Sequence, residues 1–381
     1  MKISTQTLFG LSILGISISL SHAATISEKT VAKMPNGDNI KEYTLSNKNG
    51  MTVKILDVGA VIAQVIVPDH EAKLENVVLG FANPADYATL NKSNFGAVVG
   101  RYANRIAKGQ FTINDKTYQL PINNGENSLH GGSPTFAQDL WQSKIVKSKQ
   151  KDTAAVELKY LSPNGQNGFP GNLTTTLVYS LNDANELALH YTAKTDQDTV
   201  INLTNHSYFN LAGETSGSVE DQEVQLLASH FTRTDAASIP TGEITPVTDT
   251  PMDFRKMKPI GQNIRDQYDQ LQNAKGYDHN WVLDNYKPNA TQPALAAKAF
   301  DPKTKRTLEV YTTQPGIQFF SANGFNGTVI GTSGKAYRAT DAFALETQHF
   351  PNSPNTPNFP STLLKKGQTF NQTTIYKLGV K

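Results

Sequence analysis

Thr199-Val200-Ile201-Asn202-Leu203-Thr204-Asn205-His206-Ser207-Tyr208-Phe209-Asn210-Leu211 changes character from one residue to the next. Successive side chains of a strand point to opposite faces. Period two therefore sets Leu203 and Phe209 on one face, and Asn202, Thr204, His206, Tyr208 and Asn210 on the other. A solvated strand surface usually carries Lys, Glu and Thr, whereas this one carries amides, a phenol and an imidazole. Neutral donors and acceptors beside aromatic rings suit a sugar, whose hydroxyls need paired partners and whose C–H face needs a ring. The alternative reading of the same residues is an ordinary solvent-facing strand.

The sequence on either side repeats the strand signal. Short β-branched and aromatic runs cover 51–58, 61–67, 174–181, 186–195, 307–313, 317–322 and 342–348. Asn-Gly pairs, which tolerate positive φ and favour tight hairpins, stand between them at Asn36-Gly37, Asn49-Gly50, Asn124-Gly125, Asn164-Gly165, Asn167-Gly168, Asn323-Gly324 and Asn326-Gly327. The best helical candidate is Asn83–Leu90, with Pro84 in its first turn. Many closely spaced strands with few helices imply an all-β chain, a large antiparallel sandwich or barrel. No internal repeat marks a propeller or solenoid. Residues 351–360, PNSPNTPNFP, are expected to form an extended, polyproline-like loop.

Composition removes several function classes. With 35 Lys+Arg against 33 Asp+Glu, the formal charge is +2, which provides no strong field for nucleic acid or an anionic membrane. The absence of cysteine excludes disulfides, thiolate catalysis and cysteine-ligated metal clusters. Met1-Lys2, the apolar run Leu8–Leu20 and Ser21-His22-Ala23 have the three parts of a secretory signal peptide. Thirteen apolar residues are short for a bilayer that needs about 20, and no later stretch is long and apolar enough to span. The expectation is a cleaved segment at 1–23 and one domain at 24–381, exported to the periplasm or medium. A monomer is expected, although nothing in the sequence fixes the oligomeric state.

Further segments carry chemistry. In Ala342–Gln348, Phe343 and Leu345 face the core while Glu346 and Gln348 face away. His130 ends the loop from Asn123 and precedes Gly131-Gly132, a pair that lets backbone approach a ligand closely. Asp278 and Asn280 share a strand face, with His279 and Trp281 turned inward, so Trp281 reads as core rather than as a sugar platform. Asn104 and Arg105 place an amide beside a cation. Each segment also has a plain reading as turn, core or surface.

Together these segments resemble the aldose 1-epimerases (galactose mutarotases), over roughly residues 45–378. The similarity rests on GRYANRIAKG from Gly100, NNGENSLHGG from Asn123, GQNGFPGNL from Gly165, NLTNHSYFNLAG from Asn202, PTGEITPVTDTPMDFR from Pro240, GYDHNWVL from Gly276, TTQPGIQFF from Thr312 and ALETQHFPNSPN from Ala344. Any one is weak, but the set in family order is specific. The resemblance implies an antiparallel β-supersandwich with few short helices and a sugar cleft on a concave face. It also implies interconversion of the α and β anomers of free aldohexoses such as glucose and galactose, without cofactor or metal. By the same resemblance Glu346 is the base and His206 the acid, while Asn104, Arg105, His130, Asp278 and Gln318 bind the sugar. Asn352 stands where the family often has aspartate, Thr356 where histidine is common, and Trp281 where phenylalanine is frequent. These departures bear on substrate preference.

The chemistry asks for the same residue types. An anomer changes configuration only through ring opening, which removes the C1 hydroxyl proton and protonates the ring oxygen. One carboxylate base and one histidine acid are required, on opposite sides of the reacting carbon and each within about 3 Å of its proton. On this reading Glu346 is ionised, held so by donors such as Arg105, and His206 is protonated. Two other classes remain open: a glycosidase using Asp278 and Glu346 as a carboxylate pair, and a non-catalytic sugar-binding module. A phosphorylated hexose would require additional basic residues. A composite metal site drawn from His130, His206, His279 and His349 has no helical ligand spacing to support it.

Overall fold

The computed structural model describes residues 23–381, so the leader segment read from the sequence lies outside the described residues except for Ala23. Three large antiparallel sheets of five, nine and six strands carry the architecture. Their inward residues merge into one apolar cluster: Leu45 and Val53 from the first sheet, Leu177 and Leu189 from the second, and Trp281, Phe319 and Leu345 from the third. Burial of that shared apolar surface is the main force holding the layers together.

The alternating runs form strands with the expected inward face. Leu173–Asn182 and Glu186–Thr195 alternate buried with less buried positions along their length. The carboxy-terminal strand Thr369–Val380 inserts between Glu186–Thr195 and Arg306–Thr312, pairing Lys377 with Glu186 on one side and Glu309 on the other. The last strand of the chain thus closes the middle of the nine-stranded sheet. Asn36-Gly37 and Asn49-Gly50 sit in tight hairpins of the five-stranded sheet, as expected. Asn124-Gly125 instead lies in a loop closed by an Asn124–Asn127 bridge.

The six-stranded sheet bears the site. Its spatial order is Tyr208–Phe209, Phe343–Gln348, Gly316–Phe320, Asp278–Val282, His230–Thr234 and Pro240–Pro246. The register sets Asn280 opposite Gln318, and Gln318 opposite Glu346. Residues directly opposite share a face, so three polar side chains form one row across three strands. The odd-numbered neighbours Trp281, Phe319, Phe343 and Leu345 point into the apolar cluster, as the sequence implies. The Trp281 ring is fully buried and its Nε1–H donates to the Met252 carbonyl at 3.0 Å.

Three local expectations are corrected. Residues 199–211 form no continuous strand but three two-residue strands: Thr199–Val200, Thr204–Asn205 and Tyr208–Phe209 pair with three different partners. The chain crosses between sheets here, and the whole segment is buried, so its polar face is not solvent-facing. The 83–90 helix shrinks to Asp86–Thr89. The 351–360 loop is not polyproline-like throughout. Asn352 adopts φ +57°, a short 3₁₀ turn follows at Ser353–Asn355, and Asn352 Oδ1 accepts from Ala107 N at 3.0 Å. Side-chain hydrogen bonding outweighs the proline preference at that point. A second helix, Asp269–Ala274, had no sequence expectation. It ends at Lys275 with φ +58° and leads into Asp278.

Replacing Trp281 by alanine removes core volume under the strand that carries Asp278 and Asn280. The cost is expected to be about 3–5 kcal/mol, read as a lower urea midpoint at an unchanged m-value. An unchanged midpoint would contradict the core assignment.

Candidate active site

Glu346 and His206 meet on the buried face of the six-stranded sheet. Oε1 of Glu346 lies 3.6 Å from Nε2 of His206, with only 3% and 5% of the side chains exposed. Sheet register delivers Glu346, and the residue pair Thr204–Asn205, held against Val98–Val99, delivers His206. The imidazole stacks on the Tyr208 ring at 4.7 Å between centroids, and the Tyr208 hydroxyl donates to Ser93 O at 3.1 Å. Tyr208 therefore fixes the ring plane of His206.

His130 approaches from a neighbouring loop, with its ring edge-on to His206 at 5.4 Å. Leu129 pairs with Arg105, and His130 N donates to Asn104 O at 3.0 Å. Asn104 N in turn donates to His130 Nδ1 at 3.1 Å. Gly131, at φ +80°, makes this approach possible, because a Cβ there would overlap the Gly100 carbonyl oxygen. Asn104 itself has φ +62°, and its Oδ1 accepts from the backbone N of Arg105 at 2.8 Å, which fixes the main chain where Arg105 departs.

Arg105 contacts Asp278 (Nη1 to Oδ2, 3.9 Å) and donates from Nε to Asn124 Oδ1 at 3.0 Å. Gln318 Nε2 donates to Asp278 Oδ1 at 2.7 Å. The Asp278 carboxylate is thus held by an amide and a cation, while Gln318 Oε1 has no partner among the described residues. All seven residues singled out in the sequence belong to one connected site: Glu346, His206, His130, Asn104, Arg105, Asp278 and Gln318. Two further contributors appear: Tyr208, read from the sequence only as part of the polar strand face, backs His206, and Asn124, read there as a turn residue, accepts from Arg105 Nε. An aromatic two residues after a site histidine and an amide inside an Asn-Gly turn were the available signals.

The electrostatics reverse the charge states expected from the sequence. Burial, reinforced by the nearby Asp278 carboxylate and only partly offset by Arg105, holds Glu346 well above the usual carboxylate range. Burial likewise lowers His206 to about 4. His130 is pushed well below its ordinary value by burial and by the neighbouring His206 and Arg105. Arg105 is not an ionic partner of Glu346 here, since its contacts are Asp278 and Asn124. Burial therefore favours the neutral forms of both groups, with the proton on the Glu346 carboxyl.

One ligand atom each of His130, His206 and Glu346 lie within 4.8 Å of one another, the donor set of a metal centre. The hydrogen bonds argue against that use. A metal-binding histidine donates a proton from its other ring nitrogen, whereas His130 Nδ1 accepts from Asn104 N. A neutral His130 must then carry its proton on Nε2 and present a donor rather than a lone pair. His279 and His349 do not join the cluster: Nδ1 of His279 accepts from Asp278 N at 3.2 Å, and His349 Nδ1 pairs with Gln314 Oε1 at 2.7 Å. The arrangement offers instead a proton-carrying carboxyl–imidazole pair beside a fixed N–H donor, with a carboxylate and amides to grip hydroxyls.

At about pH 6 without sugar, the Glu346 carboxyl carbon should show the NMR shift of a protonated acid, and the His206 nitrogens those of neutral imidazole. An imidazolium signal from His206 under those conditions would overturn this charge assignment.

The aldose 1-epimerase family matches residues 41–377. Galactose mutarotase of Sus scrofa is 40% identical over 356 residues, covering 93% of this chain and 99% of its own length. Aldose 1-epimerase of Escherichia coli K12 is 35% identical over 352 residues, covering 92% and 98%. The crystal structure of galactose 1-epimerase from Lactobacillus acidophilus NCFM superposes with a TM-score of 0.82 at 29% identity, covering 94% and 99%. With an antiparallel fold, a buried carboxyl–imidazole pair and this agreement over nearly its whole length, the chain belongs to the aldose 1-epimerase family and interconverts the anomers of aldoses.

Proposed function

We propose that Glu346 and His206 carry out the two proton transfers of anomer exchange on free aldohexoses, and that Asn104, Arg105, His130, Asp278 and Gln318 hold the sugar. The observation that supports this most directly is the 3.6 Å approach of Glu346 Oε1 to His206 Nε2. The C1 hydroxyl and the ring oxygen are bonded to the same carbon, so a carboxyl and an imidazole this close can serve both at once from neighbouring positions, rather than from the opposite sides of the reacting carbon expected from the sequence. Glu346 takes the C1 hydroxyl proton and His206 gives one to the ring oxygen. The bond from C1 to the ring oxygen breaks as the C1 carbonyl forms. After rotation about C1–C2 the ring oxygen attacks the other face and both transfers reverse. The pair begins and ends with the same proton count, and the neutral His130 donates from Nε2 toward the reacting oxygens without changing charge.

The reacting form has its proton on His206, whereas burial favours the proton on Glu346. Both forms carry one proton, so a bell-shaped pH profile reports the pair rather than either residue. The acid limb is then a second proton reaching the pair near the lowered His206 value of about 4. The basic limb is the loss of the last proton, from the raised Glu346. That order is opposite to the one that an ionised Glu346 and a protonated His206, the charge states expected from the sequence, would give.

Polarimetry of freshly dissolved α-glucose and α-galactose, with chelator present, tests the roles. Glu346→Gln and His206→Asn should each lower kcat at least ~10²-fold with a smaller change in KM. The double variant should lose less than the product of the single losses. Asp278→Asn should raise KM at least as much as it lowers kcat. Retention of most activity by Glu346→Gln would sink the assignment.

Export is part of the same proposal. Lys2, the apolar run from Leu8 to Leu20 and the small residues around Ala23 support it. Protein recovered from the periplasm or medium should begin near Ala24. Full retention in the cytoplasm with Met1 intact would count against it.

A further inference from the structure

Gln348 follows Glu346 by two residues on the same strand and shares its face. Its side chain is fully buried, and neither Nε2 nor Oε1 has a partner among the described residues. A buried amide left unpaired on both atoms is costly, and no other described side-chain amide is orphaned on both atoms. Glu346 Oε2, the oxygen turned away from His206, is likewise buried and unpartnered. Asn280 Oδ1 is a third orphan. It lies over Gly316, the residue directly opposite Gln348, because a Cβ at Gly316 would overlap Asn280 Oδ1. Phe350, 3.0 Å from that same Cβ position, borders the spot.

Asn280 Oδ1 lies over Gly316, Gln348 stands opposite Gly316, and Glu346 is the next same-face residue on the strand of Gln348, so the three orphan groups share one region of the sheet face. Alternate residues of a strand are about 6.7 Å apart at Cα, and two hydrogen bonds of about 2.8 Å through one water join polar atoms up to about 5.6 Å apart, a separation that two long side chains on one face readily reach. A buried water needs two to four polar partners, and Glu346 Oε2, Gln348 Nε2 and Asn280 Oδ1 supply three. We infer that Gln348 is a positioning residue: its Nε2–H, through one ordered water, holds Oε2 of Glu346 and stabilises the carboxylate form needed when the proton resides on His206. This rests on Glu346 being the base. On this inference Gln348, fully buried, acts through Glu346 rather than on the sugar.

The charged and titratable groups facing Glu346 come from several elements: His206, His130, Arg105, Asp278, Tyr208 and Tyr376. They are identical in wild type and in variants at position 348, so a comparison of those proteins isolates the amide. Gln348→Met keeps the volume and removes the donor. Its kcat should fall about 10–100-fold with KM within about twofold, while its thermal midpoint stays level or rises, because an orphaned polar group has been replaced by an apolar one. Gln348→Glu should recover part of that loss as pH falls, because the introduced carboxyl becomes a donor once protonated. Wild-type kcat in Gln348→Met would overturn the inference. So would a fall in its thermal midpoint with no acid recovery in Gln348→Glu, which marks a purely structural residue. Glu346→Gln, measured alongside, separates the two levels: if it stays active, the base assignment fails, whatever position 348 shows.

Discussion

The register that sets Asn280 opposite Gln318, and Gln318 opposite Glu346, governs this site. A slip of one residue would turn every side chain of a strand to the other face. Glu346 would then point into the apolar cluster now filled by Leu345, Phe319 and Trp281. The core on one face therefore enforces the chemistry on the other. Trp281, Phe319 and Phe343, packed on the core face, oppose that slip.

Burial then sets the electrostatics. Removing Glu346 and His206 from water favours their neutral forms, against the charge separation that anomer exchange requires. No countercharge sits directly on Glu346, because the site's cation, Arg105, is committed to Asp278 and Asn124. A neutral pair with a small internal proton shift suits a reaction whose two directions are chemically alike, since neither protonation state has to dominate. The same burial explains why His130 serves as a donor of fixed tautomer, with Nδ1 occupied by a backbone N–H.

Close backbone contacts bring distant segments to this sheet. Gly131 lets the His130 loop rest on the Gly100 carbonyl, and Asn352 ties the loop after Gln348 to Arg105 and Ala107. The side chains that matter thus come from segments separated by more than two hundred residues, yet each is fixed by a short-range hydrogen bond or steric limit.

Much of this was legible in the sequence. Alternation in Glu186–Thr195 and in residues 342–348 specified strands and faces, because strand geometry has a period of two whatever the surroundings. The motifs around His130, His206, Asp278 and Glu346 supplied the residue types, and Trp281 was legible as core from its place beside Asp278. Tertiary structure decided what periodicity cannot carry. It broke residues 199–211 into three short strands, because their partners lie in different sheets. It folded the proline-rich loop on the side chain of Asn352. It gave Arg105 to Asp278 rather than to Glu346, and it neutralised the acid–base pair. A sequence names the ionisable groups, but their charge depends on distance, burial and competing partners, and only the folded chain fixes those.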